Sequence, residues 1–209
     1  MGSDAGVNLV RSGDIDLAFI SREVRAAEAG TVETVPIGAT GTGIAVTASN
    51  KVTTVTKDQL ANIFTGETIS WSTLGGDAAP IRVLVREAGS ATRNALEAYC
   101  YGGKPPLSGY AKNAIEVGSY DETVKAMQSI SGAVGMMSMS AAAFSERSIH
   151  LLSIDGVPAT RESLLNGKYP MRRPLYLVYS SDPAKVKPAI RAFIDFVKSP
   201  QGQAVLDSL

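Results

Sequence analysis

Residues 81–101, IRVLVREAGSATRNALEAYCY, predict a buried strand, a short turn and a helix. The run Ile81–Val85 is largely apolar, and Leu96, Tyr99 and Cys100 fall on one face at helical spacing. A strand, a glycine-containing turn and a helix direct the free N–H groups of the helix toward the end of the strand. The sequence therefore predicts an α/β unit in which a helix begins beside a strand end.

The start of this helix is rich in hydrogen-bond donors. Ser90 is suited to the N-cap position, and the amides of Ala91, Thr92 and Arg93 have no intrahelical partner. Such a helix start attracts anions, and Arg86 adds a guanidinium group that fits an oxyanion. The hydroxyls of Ser90 and Thr92 can donate as well. These residues predict an oxyanion site, although a surface arginine and an ordinary N-cap serine would give the same local pattern.

The composition limits the classes of function. The 209 residues suffice for one large domain or two lobes of about 100 residues each. Twenty basic and twenty acidic residues cancel, so the net charge predicts no binding to nucleic acid or to an anionic membrane. No apolar run is long enough to span a membrane. The opening residues Met1–Asp4 have no apolar segment behind them, so no signal peptide is predicted.

The residues that most often carry catalysis or bind metals are scarce. Cys100 is the only cysteine, so no internal disulfide and no cysteine-based metal site are expected, and we expect its thiol to be buried and unreactive. His150 is the only histidine and lies in an apolar, strand-like run. A hydrolase with Ser90 as nucleophile remains an alternative, but no Gly-x-Ser-x-Gly motif surrounds Ser90. We therefore predict no catalytic residue, no metal site and no cofactor.

Two stretches before the central unit bear on the site and on the fold. The run Ile15–Ile20 is apolar on both faces, which is typical of a strand in a parallel sheet. It ends at Ser21–Arg22, which is either a polar pair at a ligand-binding strand end or a surface turn. The run Gly38–Gly43 lacks the Gly-Lys-Ser/Thr ending of a phosphate loop, so we expect a flexible connection between two strands.

Strands and helices alternate along the chain, which predicts the α/β class. Two strand runs, residues 43–49 and 174–180, frame the middle of the sequence and predict one domain inserted into another. Lobe one is then formed by residues 1–45 and 174–209, and lobe two by residues 46–173.

Several stretches, in order along almost the whole chain, resemble the phosphate-binding protein of bacterial phosphate ABC transporters, a type II periplasmic solute-binding protein. These stretches are Gly2–Gly6, Asp14–Asp16, Ser21–Arg22, Gly43–Val46, Ile63–Gly66, Trp71 with Gly75–Gly76, Arg86–Thr92, Gly132–Gly135, Gly167–Pro170 with Arg173–Tyr176, and Phe193–Ile194 with Ser199–Gly202. Each match alone is weak, whereas the ordered set is specific.

The resemblance implies two α/β lobes that are joined by two crossing strands and close on inorganic phosphate in the cleft between them. It assigns phosphate contacts in lobe one to Ser3, at a Gly-Ser helix start, and to Ser21, at the end of the next strand. In lobe two the family motif Arg-x-x-Gly-Ser-Gly-Thr implies contacts from Arg86, Ser90, Ala91 (through its amide) and Thr92. Ala91 departs from the motif, since it replaces the second glycine.

The phosphate proton also needs an acceptor if sulfate is to be rejected. Some family members use an aspartate for this purpose, and Ser21 occupies the corresponding place here. Asp4 and Glu87 are the weaker candidates.

The resemblance also predicts the partners and the compartment. It implies a membrane permease as the partner, no role as an enzyme, and a periplasmic or extracellular protein that is lipid-anchored or soluble. The first strand and helix of the family pattern have no counterpart here, so lobe one is expected to be incomplete at its N-terminus and to offer an edge for a dimer. The alternative function is a sensor or interaction domain of the same fold that binds another oxyanion or no ligand.

Overall fold

The computed structural model describes residues 2–207, in which strands and helices alternate. The helices are α1 (Ser3–Ser12), α2 (Lys57–Thr65), α3 (Ala91–Tyr101), α4 (Tyr120–Ser129), α5 (Ala141–Ser145), α6 (Arg161–Leu165), α7 (Pro188–Lys198) and α8 (Pro200–Asp207), with 3₁₀ turns at Trp71–Leu74 and Pro183–Lys185. The strands are β1 (Leu17–Ile20), β2 (Val32–Thr47), β3 (Thr54–Val55), β4 (Arg82–Arg86), β5 (Ile115–Val117), β6 (Ala133–Ser138), β7 (Ile149–Leu151), β8 (Ser153–Ile154) and β9 (Arg172–Ser180).

The chain forms two compact units. Unit 1 comprises the residues up to Ala39 together with those from Arg173 onward, and unit 2 comprises Thr40–Arg172. The chain passes from unit 1 to unit 2 within β2 and returns at the start of β9. The sequence placed these boundaries after residues 45 and 173, and the assignment of the units as functional lobes stays a prediction.

Unit 1 is built on β1, β9 and the first half of β2. Strand β1 pairs with β9 in antiparallel register, from Leu17 opposite Tyr179 to Ile20 opposite Tyr176. Neighbouring side chains on a strand point to opposite faces, so the sheet buries two apolar clusters. Ala18, Ile20 and Val178 pack with Val7 and Val10 of α1, whereas Leu177 packs with Val35 and with Ile194 and Val197 of α7.

The antiparallel pairing of β1 with β9 corrects the expectation of a parallel neighbour for this strand. The apolar pattern of Ile15–Ile20 arises because Ala18 and Ile20 pack on the α1 side while Leu17 is half-buried on the α7 side. An apolar pattern of this kind carries no information about strand direction. On β1, Phe19 remains 68% exposed.

Unit 2 contains the strands that carry the central motif. Strand β6 lies between the second half of β2 and β4, and β5 follows β4. The β4–β5 and β4–β6 pairs are parallel, whereas β2 pairs with β6 and with β7 in antiparallel register. The carboxyl ends of β4, β5 and β6 therefore meet at one edge of the sheet, which is where α/β folds place ligands.

Each face of this sheet is covered by helices. One face buries Val83 and Val85 with Leu60 and Phe64 of α2 and Leu96 of α3. The other face buries apolar side chains of β2, β4 and β6 together with residues of α4 and α5, namely Ala45, Leu84, Met137, Val124, Met127 and Ala143. Because α2 and α3 lie on one face, the turn from β4 into α3 is held close to the sheet.

The expected flexible connection at Gly38–Gly43 is wrong, because β2 runs unbroken through it. Thr42 pairs with Ser138 of β6 and is fully buried. A Cβ atom on Gly41 would lie 2.7 Å from Leu164 Cδ2, and one on Gly43 would lie 3.0 Å from Met139 Cγ. Because these two glycines have no side chain, side chains from elsewhere in unit 2 can pack directly against the β2 backbone.

Trp71 anchors its loop in the core of unit 2. Trp71 is 1% exposed, and its Nε1 donates to the carbonyl oxygen of Gly132 at 3.0 Å. Gly132 has φ +72°, and a Cβ atom there would lie 2.1 Å from the carbonyl oxygen of Pro80. The backbone of Pro80 therefore approaches Gly132 more closely than any side chain at that position would allow.

Among the helices within residues 2–207, none combines the length and apolar character that a membrane span requires.

Candidate anion-binding site

The predicted strand, turn and helix of residues 81–101 are present. Strand β4 buries Val83, Leu84 and Val85 and ends at Arg86. The chain then turns through Gly89, whose φ of +82° is favoured by glycine, and the Ser90 amide donates to the Glu87 carbonyl oxygen at 3.2 Å. This tight turn brings the start of α3 beside the end of β4.

Ser90 occupies the N-cap position of α3, as predicted from the sequence. The first helical hydrogen bond runs from the Asn94 amide to the Ser90 carbonyl oxygen at 2.8 Å, so the amides of Ala91, Thr92 and Arg93 precede it. Ser90 is 3% exposed as a residue, and its side chain makes no cap hydrogen bond. The helix start therefore keeps its own amide donors, and the Ser90 hydroxyl adds another.

Arg86 is held by its neighbour in the sequence. Its Nε and Nη2 lie 2.8 and 2.9 Å from the two carboxylate oxygens of Glu87. The same nitrogens donate to the carbonyl oxygens of Val117 and Gly118 at the end of β5, at 3.2 and 2.9 Å. Among residues 2–207 no hydrogen bond reaches Nη1 of Arg86. The sequence predicted an arginine whose fork faces an anion, whereas one edge of that fork faces Glu87 in this structure.

Thr92 belongs to a small cluster of hydroxyl groups. Its Oγ1 lies 3.4 Å from Oγ of Ser138, the last residue of β6. Its carbonyl oxygen accepts a hydrogen bond from Thr42 Oγ1 at 3.2 Å. Thr42 and Ser138 are themselves partners in the β2–β6 register. Thr92 is therefore fixed by two strands at the same sheet edge as Arg86.

In unit 1 the structure brings together the two predicted serines. The Ser21 amide donates to Ser3 Oγ at 3.2 Å, across the β1 end and the first residue of α1. The Ser21 hydroxyl accepts a hydrogen bond from Nη1 of Arg173, a buried residue at the start of β9. Ser3 and Ser21 are thus neighbours, with an arginine beside them.

Arg22 and Asp4 are engaged in an ion-pair network of unit 1. Arg22 lies 2.8 Å from carboxylate oxygens of both Asp4 and Glu28, and Arg25 lies 3.0 Å from Asp4. The hydrogen bond from Arg22 lowers the pKa of Glu28, and this effect exceeds the opposing effect of burial. Both weaker candidates for the acceptor of the phosphate proton are ion-paired, since Asp4 contacts Arg22 and Arg25 and Glu87 contacts Arg86.

The side chains that a hydrolytic site with Ser90 as nucleophile would need do not lie around Ser90 in the described residues. The ring of His150 lies in β7 and contacts the carbonyl oxygen of Val52 at 2.9 Å, and no hydrogen bond within the described part of the chain joins it to Ser90. Burial raises the pKa of the half-buried Cys100 thiol to about 12, as expected for an unreactive cysteine. Within residues 2–207, no group of three or more His, Cys, Asp or Glu side chains is placed to hold a metal ion.

A cavity of about 650 Å³ in unit 2 lies away from the residues predicted to bind phosphate. It is lined by the loop Thr47–Lys51, by Trp71, Asp77 and Ala79, by Met127–Gly132 and by Ser148. None of the six residues predicted to bind phosphate lines it.

Sequence reasoning missed three features of these sites. It did not foresee the pairing of Arg86 with Glu87, the position of Ser138 beside Thr92, or the contact of Arg173 with Ser21. Ser138 could have been found, because it ends an apolar strand and the carboxyl ends of parallel strands converge. The two arginine contacts depend on side-chain conformation and on pairs that the local pattern does not contain.

A family model described as the PBP superfamily domain matches residues 1–201. The chain belongs to the PBP superfamily. This PBP domain is 35% identical over 130 residues to the phosphate-binding protein PstS 2 of Streptococcus pneumoniae serotype 4, in an alignment that covers 60% of the chain and 43% of the relative. The chain therefore spans less than half the length of that relative.

Solved structures extend the likeness to the whole PBP domain. A structure from Clostridium perfringens, described as a phosphate ABC transporter substrate-binding protein with bound phosphate, superposes with a TM-score of 0.86 at 30% identity, covering 99% of this chain and 82% of that one. An ABC-type phosphate transport receptor from Vibrio cholerae gives a TM-score of 0.76 at 29% identity, with 99% and 83% covered. The predicted PBP-like type II α/β fold and the resemblance to phosphate-binding proteins are confirmed.

Proposed function

We propose that this PBP domain binds inorganic phosphate as the solute-binding component of a phosphate ABC transporter. The observation that carries the proposal is the start of α3, which follows the turn after Arg86. It offers three amides without intrahelical partners and a Ser90 hydroxyl that makes no cap hydrogen bond. Donors of this kind match a tetrahedral oxyanion. The likeness to proteins described as phosphate-binding supports phosphate as that anion.

Each predicted residue has a role in this proposal. Arg86 supplies a charge-assisted hydrogen bond, Ser90 and Thr92 supply hydroxyls, and Ala91 supplies its amide. Ser3 and Ser21 of unit 1 are predicted phosphate contacts on the basis of the family resemblance, and the nearby Arg173 adds positive charge to that pair. The free energy of binding comes from local hydrogen bonds, because the net charge of the chain is zero.

The decisive experiment is isothermal titration of the purified chain with phosphate, with Arg86→Ala as the test variant. Arg82→Ala is the matched control, because Arg82 is an exposed arginine at the opposite end of the same strand. We expect micromolar or tighter binding to the wild type and to Arg82→Ala. Loss of the charged donor should weaken binding to Arg86→Ala by roughly 10- to 100-fold. A folded wild type that releases no heat, or an Arg86→Ala variant with wild-type affinity, contradicts the proposal.

The alternative is a sensor or interaction domain of the same fold, which binds another oxyanion or no ligand. The pairing of Arg86 with Glu87 favours this alternative, because it makes the Arg86 edge of the site less positive than the sequence motif alone implies. Titration with sulfate under the same conditions separates the two functions. A site that prefers sulfate, or that ignores both anions, supports the alternative.

A binding function without catalysis is part of the proposal. The relatives are described as binding or transport proteins, and His150 contacts a backbone carbonyl in a different part of unit 2. Hydrolysis of a chromogenic ester or phosphate ester that disappears in Ser90→Ala would overturn this assignment. No metal or cofactor is required for the proposed binding.

The proposed partners and compartment follow from the same function. A solute-binding component delivers phosphate to a membrane permease, so we place the protein in the periplasm or outside the cell, either soluble or lipid-anchored. Within the described residues the outer edge of β1 is unpaired and carries the exposed Phe19, so self-association through this edge is a second proposal about partners. Light scattering over a range of concentrations tests it, and a monomer throughout contradicts it.

A further inference from the structure

Glu87 takes up the same edge of the Arg86 guanidinium that a bidentate oxyanion would use. Both oxygens of Glu87 are engaged, one with Nε at 2.8 Å and one with Nη2 at 2.9 Å. This fork-to-fork geometry is the one in which arginine holds carboxylates and phosphates most strongly. Glu87 therefore occupies the position that two oxygens of an anion bound at this edge would take.

The remaining donors of Arg86 cannot replace that edge. Nη2 also donates to the Gly118 carbonyl oxygen at 2.9 Å, and Nε contacts the Val117 carbonyl oxygen at 3.2 Å. Only Nη1 is without a hydrogen bond within residues 2–207. A tetrahedral anion that approaches the paired arginine meets one available nitrogen. It gains two-point contact at the Nε–Nη2 edge only when Glu87 moves away, and it then shares the Nε hydrogen with the Val117 carbonyl group, as Glu87 does.

Glu87 is able to move, whereas Arg86 is fixed. The Arg86 side chain is 12% exposed and is anchored by the two carbonyl groups at the end of β5, while the Glu87 side chain is 28% exposed. The carboxylate therefore has a route into solvent, and the guanidinium stays in place when the pair opens. Displacement of Glu87 costs the ion pair and leaves the donor geometry of the site intact.

We propose that Glu87 acts as a built-in competitor for the anion site, so that an oxyanion binds Arg86 by displacing Glu87. The proposal rests on the proposed function, because it concerns the same site. A competitor that is attached to the protein lowers the apparent affinity by the fraction of time for which the site is open. An ion pair of the strength usual at partly exposed positions should weaken anion binding by roughly 3- to 10-fold.

Titration of Glu87→Gln with phosphate, at one pH and one ionic strength, tests the proposal. Glutamine keeps the size of the side chain and removes the charge that holds the pair, so we expect roughly 3- to 10-fold tighter binding than in the wild type. Glu67→Gln is the matched control, because Glu67 is an exposed carboxylate in unit 2 that makes the same change in net charge. The control should keep wild-type affinity. A Glu87→Gln variant that binds phosphate as the wild type does, or more weakly, overturns the proposal.

A second variant distinguishes two effects of Glu87: occupation of the Nε–Nη2 edge of Arg86, and electrostatic repulsion of the anion by the carboxylate charge. Glu87→Asp keeps the charge but is one methylene shorter, so it cannot hold both nitrogens of the adjacent arginine in the same way. We expect Glu87→Asp also to bind phosphate more tightly than the wild type. Wild-type affinity in Glu87→Asp together with tighter binding in Glu87→Gln would assign the effect to charge alone and reject occupation.

The outcomes also distinguish this inference from the proposed function. A wild type that binds phosphate with a Glu87→Gln variant of equal affinity retains the function and rejects the competitor. A wild type that does not bind phosphate, with a Glu87→Gln variant that does, retains the competitor and rejects the function for the native chain. Failure of both folded chains to bind phosphate rejects both proposals.

Discussion

Thr42 of β2 donates its buried hydroxyl to the carbonyl oxygen of Thr92, 3.2 Å away in the first turn of α3. This contact connects the sheet with the helix start that offers the anion donors. We predict that Thr42→Val destabilises unit 2 by about 1 kcal/mol, because it removes one buried hydrogen bond. Phosphate affinity should fall by roughly 2- to 10-fold as the helix start loses its position.

Urea unfolding and calorimetric titration measure the two effects, and Thr54→Val at an exposed strand position is the control. An affinity unchanged in Thr42→Val would show that the helix start does not depend on this contact.

Because the Ser90 side chain makes no cap hydrogen bond, we expect its removal to weaken phosphate binding with little effect on the free energy of unfolding. Replacement of an N-cap serine or threonine by alanine usually costs about 1 kcal/mol. We expect that cost for Thr56→Ala, because Thr56 forms a capping box with Gln59 at the start of α2. Ser90→Ala should change the free energy of unfolding by less than about 0.5 kcal/mol. It should nevertheless weaken phosphate binding by roughly 10-fold, because it removes a donor to a charged ligand.

Chemical denaturation and titration of both variants provide the check. Thr56→Ala should keep wild-type affinity for phosphate. If Ser90→Ala destabilises the chain as much as Thr56→Ala does, the Ser90 hydroxyl caps the helix in solution and is not reserved for a ligand.

Gly132 should be intolerant of substitution for a reason beyond its positive φ. Any residue other than glycine is strained at φ +72°, and the added Cβ atom would also lie 2.1 Å from the Pro80 carbonyl oxygen. We predict that Gly132→Ala destabilises unit 2 by at least about 3 kcal/mol. Gly156→Ala isolates the strain, because Gly156 has φ +76° with open space around it, and we expect a cost of about 1 kcal/mol. Equal costs for the two variants, measured by urea unfolding, would contradict the steric argument.

The ion pair between Arg22 and Glu28 should make unit 1 sensitive to acid. The folded-state pKa of Glu28 lies below its ordinary value, chiefly because Arg22 donates to it. The stabilisation is therefore fully present above the unfolded-state pKa of about 4.3, and it is lost as the pH falls through the lower folded-state pKa. We predict that Glu28→Gln lowers stability at pH 7 by about 2 kcal/mol, because it leaves Arg22 with one carboxylate fewer.

Urea unfolding followed by far-UV circular dichroism at pH 7 and at pH values below about 4 tests this prediction. The difference in stability between the wild type and Glu28→Gln should shrink in acid. Glu33→Gln, at an exposed position of β2, should follow the wild type at every pH. A difference that stays constant with pH would mean that the pair does not stabilise unit 1 through its charge.

The fold class, and the strand, turn and helix that carry the candidate site, could be predicted from the sequence because they depend on local patterns. The order of strand, turn and helix in residues 81–101 is encoded by apolar spacing and by Gly89, so the structure reproduces it. The ordered family motifs extended this local unit to the PBP-like type II fold. The apolar spacing and each family motif are both contained within short stretches of chain.

The features that could not be predicted depend on residues distant in the sequence or on side-chain conformation. Gly38–Gly43 looked like a flexible connection because glycine usually marks turns, whereas the side chains that fill its space come from Met139 and Leu164. The direction of β1 could not be read, because an apolar pattern is the same in parallel and antiparallel strands. The ion pair between Arg86 and Glu87 was not predicted, because the motif specifies residue types and not the side-chain rotamers that bring these two groups together.

Trp71 is the single tryptophan of the chain, and it is buried in the core of unit 2 beside the Gly132 carbonyl group. Intrinsic tryptophan fluorescence is therefore a reporter of unit 2 alone, since unit 1 contains no indole. Circular dichroism, in contrast, averages over the helices of both units. When denaturation curves from the two signals coincide, the units unfold together, and when they separate, the displaced part of the dichroism curve belongs to unit 1. The native sequence thus allows the cooperativity between the two units to be measured without an added label.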